Sequence, residues 1–505
     1  MAMLINLFPK HNWRLRHHLQ APSGNITDPN GLCQFNGEYH VFHQYVPRWP
    51  KIGHGWGHWV SKDLLTWHWL GGAIMPSCEY DEGGSYSGSA VERDGALWCY
   101  YTGNVLEPGD YDYDYAGRQA NETLTITRDG RTFGEKVPVL RNPDYPAYCS
   151  NHVRDPKVWE QDGCLHMMLG SRTRSDHGCV LLYRSDDGVS WQLEGTCTSA
   201  SGKPFGYMWE CPNVAELGGR EYLFVCPQGV PKQEYAYQNI HVSGYFPLPG
   251  RAIDLLSGDQ GLMDAEAPFG CIDEATFVEL DYGFDFYAPQ LFTDKSGRTM
   301  LTAWVGVPDI ELQYEVPTEG WAHTITMLRE VTVNSAGRVC QWPVAEMDGL
   351  RLAEAPFTAE AAHGASGLMG SSDYDLYTME GAVGARFDGV ADVTIEGIEG
   401  PGRLMLNGDL ELVVDDREAD LVFLGQAGRF RTLRRMPLSA LSAGSIESLR
   451  VMVDTSVVEI FINGGEVTMT TRWFPLDIAN LAVTSTFAGE HHGWALRDFT
   501  YENVG

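Results

Sequence analysis

The chain has 505 residues, with 67 Asp and Glu against 36 Lys and Arg, a formal charge of -31 and 43% hydrophobic residues. That length exceeds what one hydrophobic core usually supports, so two or more domains are expected. So large an acidic excess is repelled by phosphate backbones and anionic lipid, which argues against nucleic-acid and membrane partners. The apolar fraction argues for a folded chain.

The opening stretch, Met1 to Trp13, carries neither the basic nor the apolar region of a secretory signal. No apolar run nears the roughly 20 residues that span a bilayer, so a cytoplasmic protein is expected. Eleven cysteines without a Cys-x-x-Cys pair read as reduced thiols.

Beyond that opening, strand-length β-branched or aromatic runs begin near Glu38, Leu97, Leu165, Tyr222 and Thr299. Each starts at or just after a glycine: Gly37, Gly95, Gly163, Gly219 and Gly297, at intervals of 58, 68, 56 and 78 residues. A second phrase recurs as Ser61-Lys-Asp-Leu-Leu-Thr-Trp67, Thr127-Arg-Asp-Gly-Arg-Thr-Phe133 and Ser185-Asp-Asp-Gly-Val-Ser-Trp191. It fits an outer hairpin turn followed by an aromatic strand. Repeated four-stranded units that cannot bury their own faces close most simply as a β-propeller, here with five blades. A β-sandwich with accidental similarity is the competing reading.

The repeat fades after Pro343, and Leu352 to Gly370 reads as a connector rich in Ala, Glu, Gly and Ser. Later runs are Leu410 to Val414, Leu449 to Val453, and a hairpin of Val457 to Ile462 and Glu466 to Thr471 turned at Asn463-Gly464. The expected fold is therefore all-β: a five-bladed β-propeller over 1–345, a linker over 346–370 and a C-terminal β-sandwich over 371–505.

Eight or nine residues before the five glycines stand Asp28, Ser87, Asp155, Glu210 and Ala288. Innermost strands of a propeller line its channel, so equivalent positions converge there. Three carboxylates buried together are costly unless they bind something or share protons. Each alone has a plainer reading: Asp28-Pro-Asn-Gly31 as a turn, Arg154-Asp155 as a surface ion pair, Glu210 as a blade edge.

Two facing carboxylates are the usual equipment for glycoside cleavage. Asp28, in a turn whose amides would stabilise its charge, suits the nucleophile. Glu210, between Trp209 and Cys211, suits a raised pKa and the acid role, while Arg154 would hold Asp155 ionised. Candidate sugar contacts are Asn30, Gln44, Trp56, Tyr86, Ser87, Tyr287 and Trp304, each near a unit start or end. His40-Val-Phe-His43 and His54-Gly-Trp-Gly-His58 resemble metal spacings, but on strands residues three apart point to opposite faces, which weakens the first pair; Cys211 lacks a His base, and the sequons at Asn25 and Asn121 read as chance. No metal and no organic cofactor is expected.

At these residues the chain resembles glycoside hydrolase family 32, the β-fructofuranosidases that include invertases and sucrose-6-phosphate hydrolases. The blocks are Asp28-Pro-Asn-Gly31, Tyr86-Ser-Gly-Ser89, Arg154-Asp-Pro156, Met208-Trp-Glu-Cys-Pro212, Asp285-Phe-Tyr-Ala-Pro-Gln290, and Val458 to Asn463 with Arg472-Trp-Phe-Pro475. The resemblance covers nearly the whole chain. It implies a propeller plus a sandwich, with Asp28 as nucleophile, Asp155 as transition-state stabiliser and Glu210 as acid/base. It also implies Arg154, Gln44 and Ser87 as pocket residues.

Thr27 stands where the family has an amide, Tyr86 where it has Phe, and Pro47 to Gly55 depart from its pattern. The aglycone side, with Trp49, Trp56 or neither, is therefore open. The expected activity is retaining release of fructose from sucrose and short β-fructosides. Alternatives are a sucrose-6-phosphate hydrolase, a fructosyltransferase, a non-catalytic sugar-binding propeller, and an inverting arabinan-type glycosidase. The expected partner is a small sugar, and self-assembly into a homo-oligomer is open.

Overall fold

In a computed structural model the described residues are 13–48, 53–256, 266–308, 320–359, 361 and 381–503. The described chain divides into two compact units. One holds residues 19–281, 285–346 and 500–503 of the described chain, the other 13–18, 282–284 and 347–499.

The first unit contains five sheets, each built on four antiparallel strands. Their first strands are Gly24–Phe35, Gly84–Arg93, Cys149–Gln161, Met208–Leu217 and Tyr287–Thr293. Each packs on the next, and the fifth packs on the first, so the sheets close into a five-bladed ring. The predicted runs are the second strands: Glu38–Val46, Ala96–Leu106, Cys164–Thr173, Arg220–Gln228 and Thr299–Trp304. The glycines before them close the inner hairpins. Asn36-Gly37, Asp94-Gly95, Asp162-Gly163 and Gly218-Gly219 all have φ between 51° and 80°, the two-residue turn that matches strand twist.

The recurring Asp phrase makes the outer turn of three blades. The Oδ1 atoms of Asp63, Asp129 and Asp187 each accept two backbone amides at 2.7 to 2.9 Å, and Ser61 and Ser185 cap the same turns. Cores lie between adjacent blades, for example Tyr100, Leu124, Leu165 and Leu181 between the second and third.

The second unit is a sandwich of two six-stranded sheets around one core that includes Val393, Leu412, Val451, Ile460 and Trp473. Two of its features were not expected. Trp13–His18 belongs to this unit, and Arg351–Glu354, inside the expected linker, is a strand of it. Residues 360 and 362–370 of that linker lie outside the described residues. The late hairpin pairs Ile462 with Val467, so its turn is a four-residue loop in which Asn463, Gly464 and Gly465 all have positive φ. A two-residue Asn-Gly turn would have left Gly465 in the ladder.

The thiols need one correction. Cys197 and Cys271 form a disulfide, because Gly270–Ile272 pairs in parallel along the edge strand Gln192–Ser199 and brings their Cα atoms to 5.8 Å. The other nine cysteines form no disulfide. Among the described residues no helix is long and apolar enough to cross a membrane, and no group of three metal-ligating side chains occurs. His40 bonds His58 at 3.0 Å, and His43 stacks on Trp69, so the histidine spacings belong to core packing.

Candidate active site

Each inner strand carries a bulge at which two of its residues oppose one on the second strand. The ladder skips between Asn30 and Cys33, Ser85 and Gly88, Arg154 and Lys157, Glu210 and Asn213, and Tyr287 and Gln290. Gly31, Asp155, Cys211 and Ala288 take positive φ there, at 49° to 64°. A proline follows the last three, which a strand tolerates at a bulge because the amide is already out of the ladder. In the second blade the bulge needs Gly88, where a Cβ would lie 2.0 Å from the Tyr100 carbonyl oxygen.

Asn30, Ser85, Arg154, Glu210 and Tyr287 therefore share one structural position, immediately before the bulge. Asp155 sits on the bulge, and Asp28 sits on a second irregularity between Ile26 and Pro29. Counting back from the turn glycines finds the right carboxylates but not true equivalents, because the segment between bulge and turn varies in length. Asp28 also lies within a strand, not in an exposed turn.

The side chains meet across neighbouring blades. Ser87 Oγ donates to Asp28 Oδ2 at 2.7 Å, and the Gly88 amide donates to Asn30 Oδ1 at 3.2 Å. Asp155 Oδ2 accepts the Cys211 amide at 3.0 Å. Arg154 Nε and Nη2 donate to Glu210 Oε1 at 2.9 and 2.6 Å, while Gln228 Nε2 and Tyr287 OH donate to Oε2 at 2.7 and 2.5 Å. His152 backs this arrangement. Burial and the neighbouring arginines lower its imidazole to about 3, so it is neutral. Its Nδ1 accepts from Arg154 and its Nε2–H donates to Asp114 at 2.5 Å.

The electrostatics run opposite to the sequence expectation. Burial, with the charges of Asp155 and Glu210, pushes Asp28 up to about 7 against the Ser87 bond. Burial and Glu210 push Asp155 up to about 6 against Arg154 and the Cys211 amide. For Glu210 burial also raises the carboxyl, but Arg154 and Tyr287 outweigh it and hold it below the usual range. The reason is geometric: the Arg154 guanidinium bonds Glu210 on the next blade, not its own neighbour Asp155. Cys211 is no nucleophile, since its bond to Cys226 and burial raise the thiol well above its ordinary value.

The other predicted contacts divide. Gln44 Nε2 donates to Ser85 O at 3.4 Å, yet Gln44 Oε1 and Asn30 Nδ2 are buried with no hydrogen-bond partner among the described residues. Buried polar atoms are normally paired, and sugar hydroxyls would pair these. Tyr86 is partly exposed with its ring 5.0 Å from His54. Trp56 does not offer a face. It is fully buried against Phe42 and Tyr101, and its Nε1 donates to Tyr86 O at 2.8 Å. Trp304 is buried with Cys211, Cys226, Tyr287 and Ala288, and Tyr287 serves Glu210 rather than a sugar ring. Trp49 lies outside the described residues. Both sequon asparagines, Asn25 and Asn121, are buried.

Sequence reasoning missed Gln228 and His152. Gln228 had a signal. It stands two residues beyond the partner of Glu210, as Gln44 stands two beyond the partner of Asn30, so the same repeat position carries both amides.

Residues 18–343 match the Glycosyl hydrolases family 32 N-terminal domain, and residues 411–500 match the Glycosyl hydrolases family 32 C terminal domain. A sucrose-6-phosphate hydrolase of Bacillus subtilis is 34% identical over 94% of this chain and 92% of its own length. A raffinose invertase of Escherichia coli is 35% identical over 92% and 90%. Among solved structures, a sucrose-6-phosphate hydrolase of Lactobacillus gasseri superposes with a TM-score of 0.77 at 27% identity, over 97% of this chain and 94% of that one. A Bombyx mori β-fructofuranosidase mutant in complex with sucrose gives 0.76 at 25%, over 97% and 95%.

Proposed function

The chain belongs to glycoside hydrolase family 32, and from that premise we propose that it releases fructose from sucrose-type β-fructosides by double displacement. The observation that carries the reading is the cluster of Asp28, Asp155 and Glu210. The charge of Glu210 acts on both aspartates, and Arg154 is the only cation hydrogen-bonded to any of the three among the described residues. Such a cluster holds fewer charges than carboxyls, so a proton is available to move between them.

Asp28 attacks the anomeric carbon of the fructosyl unit as the bond to the leaving oxygen breaks, and Glu210 delivers a proton to that oxygen. Water then attacks the fructosyl-enzyme, returning its proton to Glu210 and freeing Asp28. Asp155, fixed by the Cys211 amide, faces the developing positive charge. While Arg154 bonds Glu210, Glu210 is held ionised and Asp28 is the more basic group. Fructosyl hydroxyls that draw Arg154 away would remove the counter-charge from Glu210 and raise its affinity for the shared proton. Substrate binding thus arms the acid.

The relatives' names support sucrose or its 6-phosphate as the disaccharide. Initial rates on sucrose, sucrose 6-phosphate, kestose and inulin, with the first-formed fructose anomer followed by NMR, test the reading. Retention with Asp28-dependent turnover is expected. Asp28→Ala that still turns over sucrose would remove Asp28 from the mechanism.

A further inference from the structure

Asp155 holds an awkward backbone. Its φ is 64°, a left-handed conformation for a side chain that precedes a proline, and its amide is lifted out of the ladder by the bulge. That amide is not left unpaired. It donates to Thr102 Oγ1 at 3.0 Å, and the Thr102 hydroxyl donates onward to Glu122 Oε2 at 2.9 Å. Thr102 stands opposite the bulge of the second blade, where the inner strand skips it, and pairs across the other edge with Glu122. Its hydroxyl is thereby turned toward the third blade.

Glu122 has no relative exposure, forms no ion pair among the described residues, and is 3.4 Å from Tyr145 OH, which itself donates to the Ala120 carbonyl. A fully buried carboxyl without a cation is expensive, and nothing in the reaction as written uses it.

We propose that Glu122 and Thr102 form a positioning relay that holds Asp155 on its bulge and so fixes where its carboxylate meets the fructosyl unit. The relay rests on the reading of Asp155 as the stabilising carboxylate. Burial raises Glu122 to about 8, so the relay ends in a neutral acid that adds no charge beside Asp155.

Four substitutions in the full chain test it, with kcat and KM on sucrose and the melting temperature as readouts. Thr102→Val removes the hydroxyl and keeps the shape. It is expected to lower kcat by about 10- to 100-fold while KM moves less than about threefold, the signature of a lost transition-state interaction. Thr102→Ser should recover most of kcat. Glu122→Leu should behave as Thr102→Val, and Glu122→Gln, which still accepts from the hydroxyl, should recover most of kcat. If Thr102→Val does not fold, the Glu122 pair carries the same test. A folded Thr102→Val or Glu122→Leu with wild-type kcat overturns the relay, as does a loss that the conservative variants fail to restore. The wild-type rate separates the two readings: an active wild type with unaffected variants overturns the relay alone, and a wild type inert on sucrose and on sucrose 6-phosphate alike overturns both.

Discussion

The ion pairs of the sandwich unit and the carboxylate cluster of the propeller unit treat buried charge in opposite ways. In the sandwich unit, His18 lies between Asp454 and Glu459 at 2.8 and 2.9 Å, and Asp454 also accepts the amides of Arg16, His17 and Thr455. Arg450 is bonded to both Asp392 and Asp348, and Arg351 adds a second cation to Asp392. Asp454 falls far below the usual carboxylate range, because His18 and the amides overcome its burial. In the propeller's cluster of Asp28, Asp155 and Glu210, one hydrogen-bonded cation serves three carboxyls, and Asp28 rises to about 7. Both sets are buried aspartates. What separates a structural charge from a chemical one here is whether its compensation is complete.

The sharpest way to break this contrast is to neutralise one carboxylate in each unit. Asp28→Asn should lower kcat by at least about 10⁴-fold, since it deletes the nucleophile, yet leave the melting temperature unchanged or higher because it relieves an undercompensated cluster. Glu210→Gln should cost about 10²- to 10⁴-fold in kcat, the range of general acid catalysis. Asp454→Asn should do the reverse of Asp28→Asn. It takes from His18 one of its two carboxylates and should cost about 3–5 kcal/mol of stability in a denaturant titration, while the folded fraction keeps its kcat. An Asp28→Asn that melts well below wild type would mean that the propeller cluster is structural after all.

Much of this was legible in the sequence, and the limits have a common cause. Turn chemistry is local, so Gly37, Gly95, Gly163 and Gly219 exposed the blade repeat, and the Asp63, Asp129 and Asp187 phrases exposed the outer turns. The identities of Asp28, Asp155 and Glu210 followed from position within that repeat. Partnerships did not, because they join strands from different blades. Arg154 reaches Glu210 across 56 residues and Tyr287 reaches it across 77, so neighbours in sequence misled where neighbours in space decide. The same holds for the Cys197–Cys271 bridge and for Trp13–His18, whose side chains and amides find partners more than 400 residues away. Trp56 and Trp304 sit in blade packing, and a tryptophan near a site block is as useful to a blade core as to a sugar face, so local sequence does not tell the two apart.

The smallest effect sharpens the comparison through pH. Burial works against a charged His18, but Asp454 and Glu459 outweigh it and raise the imidazole to about 9 from 6.5. A raised folded-state pKa contributes stability that is complete below the unfolded value and lost as pH climbs through the folded one. His18 therefore contributes about 3 kcal/mol at pH 6 that disappears between pH 6.5 and 9. Asp28, raised from 3.8 to about 7, follows the same sign in an earlier window: its contribution is complete below pH 3.8 and gone above pH 7. Wild-type melting temperature should thus decline in two stages as pH rises. In Asp28→Asn the decline between pH 4 and 7 should become shallower, with Asp155 and Glu122 still titrating there, while the decline between pH 6.5 and 9 persists because His18 and its carboxylates are untouched. Melting curves at half-unit steps of pH read both windows in one series. A variant that declines like wild type between pH 4 and 7 would show that Asp28 is already ionised in the folded protein, and the contrast between the two units would lose its chemical half.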